Sequence, residues 1–541
     1  SFFGRRRPCR INRRSMAEMV FKLCASVAAM LCGLAFYQRT INMWTLKNLG
    51  DAFLTKDIGS RIIILGTFLR EATELNLSGT FAVIHFLGDG RLPHDLYCIS
   101  NGGENSPFVS SAHIQRINQG KRAANDICSW AGHLAECEIR PDQSGSFRLG
   151  VTADSADALV LQPPPPQSSK KKHDLVVCVA PMYIYTDWEI MLTGIETWLA
   201  LGATKIIIPI QSASTTTYRI LQAYEKEGLV VIRHWPKWPV LSDTNPNGLV
   251  LSRGIEESHV NCLFYVKPFA DMVVFTDIDD MLLPVDPQTA APGGNVQILK
   301  SLFAEHPQAG SLLFEHRDTQ LRLPSQEAAA NSLAEFNFDF LDGSRSKQNC
   351  QVWRMKTRVV VKAGRVDSVN MHETGIHRLG FVQTRVPCRL GHFYHLRHSH
   401  SFVADPAAIS LQPLAKLLNK EWSSRVSSTF SALSSAPLNR SSTESFVDFD
   451  RCMSAINEEH WTLRVSRCLT PHVCFSRLQR DVECVAARAD YSFHRTSSVA
   501  GGGPASGAFL ITAHNLSLVP SDTNCEAPVP KFTSGDHFFA P

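Results

Sequence analysis

From Asp174 onward, apolar and polar positions fall into blocks that predict strand and helix in regular succession. Leu175-Val176-Val177-Cys178-Val179-Ala180 is an unbroken apolar run of strand length, the pattern of a strand buried on both faces. Thr186-Asp187-Trp188-Glu189 has the S/T-x-x-E form of a capping box and predicts a helix that stops near Gly202. Lys205 to Ile210 reads as a second strand, a helix runs from about Thr216 to Gly228, and Leu229 to Ile232 is a third strand. A further helical stretch, Leu249 to Phe264, leads into the apolar run Met272 to Thr276. This alternation predicts a mainly parallel, Rossmann-like α/β sheet with flanking helices. Ligands of such sheets gather at the carboxyl ends of the strands, and Asp277 directly follows one.

The flanks read differently. Residues 40 to 160 carry short apolar runs such as Ile62 to Leu65 and Phe81 to Ile84 between Gly- and Asn-rich turns, which predicts a small strand-rich stem domain (39–161). Pro163 to Pro166 and Lys170 to Lys172 mark a linker (162–173) by composition. The α/β domain then occupies 174–422, and the Ser-rich stretch from about Ser423 to Ser445 reads as a loop opening a cysteine-rich extension (423–495). From 496 to 541, with Gly501 to Gly503, a disordered tail is expected.

Charge is uneven rather than large. Six arginines (Arg5, Arg6, Arg7, Arg10, Arg13 and Arg14) lie in the first fifteen residues, and without them the formal charge of +4 becomes −2. The folded part is near neutral, which argues against nucleic acid as a partner. A basic tail (1–19) is followed by a segment (20–38) that is uncharged from Leu23 to Gln38. A membrane span takes about 20 apolar residues, with about 17 as the lower limit, and counting from Met19 with Lys22 snorkelling brings the segment into range. The expected topology is a type II signal anchor with a cytosolic N-terminus; a cleaved signal peptide and a core helix are the alternatives. Of 15 cysteines, Cys9, Cys24 and Cys32 fall in the tail or anchor, leaving an even twelve with no C-x-x-C pair. Disulfides fit this better than a zinc ribbon, with Cys452, Cys468, Cys474 and Cys484 expected to staple a subdomain. Tripeptides for N-glycosylation at Asn76, Asn439 and Asn515 lean the same way.

Three carboxylates within Asp277-Ile278-Asp279-Asp280 repel one another, and a bound cation is the least costly resolution. Mn²⁺ or Mg²⁺ takes carboxylate and phosphate oxygens together and can neutralise a departing diphosphate. The plain alternative is an acidic turn that solvates a strand end. Phosphatases of the haloacid-dehalogenase type also place D-x-D after an apolar strand, but there the motif opens the domain. Here about 100 residues of alternating strand and helix precede it.

Cys178-Val-Ala-Pro-Met-Tyr, Trp188-Glu189, Gly202-Ala-Thr-Lys205 and Asn261-Cys262-Leu263 leading to Phe275-Thr-Asp-Ile-Asp-Asp280 resemble glycosyltransferase family 92. The likeness resumes at Val352-Trp-Arg-Met-Lys-Thr357 and continues through Met371-His372-Glu373 to Gly391-His-Phe-Tyr-His-Leu-Arg-His398. The resemblance implies a GT-A fold, a type II Golgi protein with a luminal catalytic domain, and inverting transfer from a UDP-sugar with Mn²⁺. Galactose passed to a glycan of a glycoprotein is the family's expected reaction. Asp277 and Asp279 would hold metal and nucleotide, with Asp280 in support. Ala180, Pro181 and Tyr183 would cradle the uridine, and Arg397 could balance the diphosphate. His372 and His395 are both candidates for a late metal ligand, with His372 preferred. Inversion needs a carboxylate base about 3 Å from the acceptor hydroxyl, and Glu315, Asp339 and Asp342 stand as alternatives. A non-catalytic glycan-binding protein built on the same pocket is the competing reading.

Overall fold

The computed structural model describes residues 60–438 apart from short internal stretches, of which the longest are 120–127, 321–329, 347–356 and 398–408. It also describes 482–496, 508–521 and 525, together with Lys22, Ser26 and Met30. The chain divides into two units, Ser1–Ile58 and Gly59–Pro541. In the first, Lys22, Ser26 and Met30 are helical. The rest of the expected anchor lies outside the described residues, and among those described no helix is long and apolar enough to cross a membrane.

The second unit contains the α/β sheet. Its strands are β1 (His173–Val179), β2 (Lys205–Ile210), β3 (Val230–His234), β4 (Ala270–Thr276), β5 (Asp280–Leu283), β6 (Ala309–Gln320), β7 (Thr357–Lys362) and β8 (His392–Arg397). The helices are α1 (Trp188–Ala200), α2 (Thr215–Lys226), α3 (Ile255–Val266), α4 (Gly294–Glu305) and α5 (Gln412–Ser428). The order is β3-β2-β1-β4-β7-β6, parallel from β3 to β4 and antiparallel from β4 through β7 to β6. Strand β5 pairs with β8, which also runs parallel to β6. The chain order reverses between β1 and β4, and a crevice forms outside the carboxyl ends of strands at such a point.

Both faces of the parallel strands are covered, as the unbroken apolar runs require. Trp188, Met191, Leu192, Ile195 and Trp198 of α1 pack on one face with Val177, Ile206 and Val274. Cys262, Leu263 and Val266 of α3 pack on the other with Val176, Ile207 and Val273. A disulfide from Cys178 to Cys262 ties β1 to α3. Helix α1 opens one residue later than the capping box suggests: Asp187 is the cap, accepting from the Ile190 amide at 3.5 Å.

Three expectations about the flanks change. The strand-rich layer is a seven-stranded sheet that takes in Ser212–Ser214, Cys484–Thr496 and Ala508–Pro520 beside the early strands. It is therefore built from both ends of the chain and a segment just after β2, not from 39–161 alone. Within the supposed tail, Phe509 to Thr512 pair in parallel with Arg61 to Ile64, and Leu510 and Ile511 are fully buried. The same strand also pairs antiparallel with Cys484–Thr496, so one edge is satisfied by a sequence neighbour and the other, in part, by residues from the far end of the chain. The Ser-rich stretch begins as helix, since Leu414, Leu418 and Trp422 at four-residue spacing carry α5 into the core as far as Ser428. Cys484 pairs with Cys525 and Cys98 with Cys137, whereas Cys452, Cys468 and Cys474 lie outside the described residues.

Candidate active site

The acidic turn bridges β4 and β5 at the order reversal. Asp280 is fully buried, and its carboxylate accepts five hydrogen bonds. Oδ1 takes His316 Nε2 at 2.7 Å and His395 Nδ1 at 2.5 Å. Oδ2 takes Arg358 Nε at 2.6 Å, Thr276 Oγ1 at 3.0 Å and the Asp277 amide at 3.1 Å. A carboxylate has about four lone-pair sites, and protein groups engage both oxygens of Asp280. Its role here is to close the turn and gather the residues around it.

Helix α1 fixes the same turn from behind. Trp198 Nε1 donates to the Asp280 carbonyl at 3.1 Å. A Cβ on Gly194 would lie 1.9 Å from the Ile278 carbonyl oxygen, so only glycine lets the helix come this close.

Arg358, at the start of β7, is the charge that balances the cluster. Its Nη2 donates to Asp277 Oδ2 and its Nε to Asp280 Oδ2, while Nη1 lies 3.3 Å from His372 Nδ1. Burial would raise the Asp280 carboxyl, but Arg358, then His316 and His395, outweigh it and hold the group well below the usual carboxylate range. Asp277 is lowered by the same balance, with Arg358 again the leading charge. His316 and His372 are both pushed down to about 4, burial being the main cause in each, so both imidazoles are neutral at pH 7. Among the described residues, Arg358 is the guanidinium bonded to Asp277 and Asp280, and Arg253 also acts on Asp277.

The oxygen and nitrogen atoms of Asp277, Asp279, Asp280 and His395 lie within 4.8 Å of one another. That carboxylate-rich donor set fits Mn²⁺ or Mg²⁺. His395 brings Nδ1 to this cluster, 2.5 Å from Asp280 Oδ1 and 3.5 Å from Asp279 Oδ1, and imidazole is a common ligand of such ions. The structure places His395 with the carboxylates, and His372 meets them only through Arg358.

The other sequence candidates are spread more widely. Ala180 and Tyr183 are buried just beyond β1, and so is Pro181. The Tyr183 hydroxyl donates to the Arg253 carbonyl at 2.8 Å, and the Arg253 guanidinium sits 3.8 Å from the ring centroid. Glu315 is buried on β6, one residue before His316. Successive strand residues point to opposite faces, so the neighbour that reaches Asp280 is the histidine. Asp339 is exposed and bonded to Asn419 Nδ2 of α5 at 2.6 Å, and Asp342 is exposed three residues later. Arg397 ends β8 opposite Gln320.

Sequence reading missed Arg358, His316 and Arg253. Arg358 stands directly after the Val352–Thr357 motif, and His316 directly after Glu315; the period-2 pleat was the signal available for both. Arg253 had none. It lies in a stretch read as helix, yet it and Ser252 have φ of 59° and 47°, a left-handed conformation uncommon outside glycine and asparagine.

A family model described as Glycosyltransferase family 92 matches residues 173–444. Two Caenorhabditis elegans proteins of that description are similar to the chain. F13G3.3 is 24% identical over 40% of this chain and 41% of its own length. F59C6.8 is 24% identical over 50% of this chain and 49% of its own. The chain thus spans about half the length of these relatives or less. Among solved structures, S. aureus TarS 1-349 in complex with UDP aligns over 56% of this chain and 83% of its own, at 10% identity and a TM-score of 0.25. At that score the likeness supports no functional inference.

Proposed function

The chain belongs to glycosyltransferase family 92, and from that premise we propose that it is a GT-A type enzyme. In this reading it transfers a sugar, galactose by family expectation, from a UDP-sugar to a glycan of a glycoprotein, with inversion. The observation that carries the reading is the set of Asp277, Asp279, Asp280 and His395 at the order reversal of the parallel sheet.

Asp277, Asp279 and His395 would hold the divalent cation, with Asp280 behind them fixing His395 and the turn. When bound, the ion supplies positive charge to the diphosphate leaving group. Arg358 holds Asp277 ionised and in place. Ala180, Pro181 and Tyr183 form the wall proposed for the uridine, and Arg253 braces Tyr183 from its ring face. An inverting step takes a proton from the acceptor hydroxyl as it attacks the anomeric carbon and the sugar–phosphate bond breaks. Glu315, Asp339 and Asp342 remain the alternatives for that base. We place the reaction in the Golgi lumen on a type II anchor; disulfides at Cys98–Cys137, Cys178–Cys262 and Cys484–Cys525 support an oxidising compartment.

The test is Mn²⁺-dependent release of UDP across a panel of UDP-sugars and glycan acceptors, comparing the parent chain with Asp279→Asn. Release by the parent and none by the variant supports the site. Equal release by both refutes it, and no release by either with any pair favours the glycan-binding reading.

A further inference from the structure

On the face of the sheet that carries α3, a cavity of about 420 Å³ opens between β3, α3 and the strand-rich layer. Its walls include Arg233 and Trp235, Trp238, Ser258 and Asn261, and Tyr491. Exposed Val160 and Leu516 stand at its edge. The volume falls within the range of about 300–1,000 Å³ usual for small-molecule sites.

Two features of this wall are unexplained by the protein itself. Arg233 is half-buried, and its partners are neutral: Nη2 donates to Asn261 Oδ1 at 3.2 Å, and the guanidinium lies 4.3 Å from the Tyr265 ring centroid. No carboxylate lines the cavity among the described residues, and burial lowers the Arg233 pKa against the opposing effect of the Tyr265 phenol, which also hydrogen-bonds the guanidinium. Lys237, between the lining residues Pro236 and Trp238, has Arg488 as its charged neighbour, which adds more positive charge nearby. Separately, the Ser258 hydroxyl is buried, only 2% of the residue being exposed, and has no hydrogen-bond partner. Sequestered charges and polar groups are normally paired, so an unpaired hydroxyl and a guanidinium with no carboxylate beside it on one wall mark a place for a ligand.

The wall is also held in position. Asn261 Nδ2 donates to the Leu65 carbonyl of the strand-rich layer at 2.9 Å. A Cβ on Gly66 would come within 2.7 Å of that nitrogen, so glycine permits the contact. The other Asn261 atom, Oδ1, then orients Arg233.

We propose that this cavity binds a carboxylate-bearing sugar. The planar guanidinium fork matches a carboxylate in two parallel hydrogen bonds. Trp235, Trp238 and Tyr491 offer rings against which the apolar face of a pyranose packs, and Ser258 and Asn261 meet its hydroxyls. The inference rests on the cavity alone and requires no transfer chemistry.

The experiment is titration calorimetry on the full chain with no donor and no metal, using methyl β-glucuronide, methyl β-glucoside and sodium sulfate as probes. The glucuronide is expected to bind at least about tenfold more tightly than the uncharged glucoside or than sulfate, since charge-assisted pairs are the strong ones. Arg233→Gln should weaken glucuronide binding about tenfold or more, and Arg233→Lys should fall between, keeping charge without the fork. Ser258→Val, which fills the wall from another element, should weaken it independently of Arg233. Asp279→Asn should leave it unchanged, which separates this site from the acidic turn. Equal binding of glucuronide and glucoside, sulfate binding as tight as the glucuronide, or unaltered binding in folded Arg233→Gln or Ser258→Val overturns the proposal. So does absence of binding by all three probes at 10 mM or below.

Discussion

Replacing Arg358 by methionine should reveal what holds the acidic turn together. The side chain is about the right volume, but the variant leaves Asp277 and Asp280 without their cation. Asp280 keeps four of its five hydrogen bonds, from His316, His395, Thr276 and the Asp277 amide. Asp277 loses its Arg358 contact at Oδ2. Removing one partner of a buried ion pair costs about 3–5 kcal/mol, because the remaining charge stays desolvated. At about 2 °C per kcal/mol for a large folded unit, the midpoint of thermal unfolding should fall by about 6–10 °C. A divalent cation supplies the missing charge, so millimolar Mn²⁺ should raise the midpoint of Arg358→Met more than that of the parent. The assay is thermal unfolding of both chains with Mn²⁺ and with chelator. A midpoint within 2 °C of the parent in chelator, or a smaller Mn²⁺ shift in the variant, would refute the assignment of Arg358 as the balancing charge.

Other consequences follow from the same geometry. Gly194→Ala should lower the midpoint and impair UDP release, because the new methyl displaces the Ile278 carbonyl; a variant matching the parent in both measurements would mean that α1 does not fix the turn. Glu256 and Glu257 at the start of α3 have carboxyls raised by burial from 4.5 to about 8 and about 7. The folded state therefore keeps protons that the unfolded chain releases, so their stabilisation is full below 4.5 and is lost as pH rises through about 7 to 8, at about 1.4 kcal/mol per pH unit for each group. Glu256→Gln should flatten that slope in denaturant unfolding between pH 5 and 8, and an unchanged slope would contradict it. Joint replacement of Cys178 and Cys262 by alanine, which opens a connection of 84 residues, should cost about 4 kcal/mol, read as a lower midpoint than the parent under non-reducing conditions.

Much of the α/β half could be read from the chain alone. Strands buried on both faces need continuous apolar runs, and α1 and α2 need their caps and Gly202 and Gly228 at their ends, so local pattern was enough for β1 to β4 and for α1 and α2, whereas α3 begins only at Ile255, after the left-handed turn at Ser252 and Arg253. That pattern also put Asp277 at a strand end, where ligands collect. What the sequence could not decide is how residues far apart share one site. Asp280 reads as a supporting ligand in sequence, and only the fold shows that His316, His395 and Arg358, from three other strands, share its two oxygens. Glu315 and His316 are equally polar in sequence, and only the pleat, fixed by pairing with β7 and β8, chooses which one faces the turn. The strand at 508–520 pairs along its length with 485–496, and only the tertiary structure shows that Phe509 to Thr512 also pair with Arg61 to Ile64 and so join the early strands. Charge balance and hydrogen-bond satisfaction are properties of neighbours in space, so the acidic cluster was legible in the chain and its electrostatics were settled by the fold.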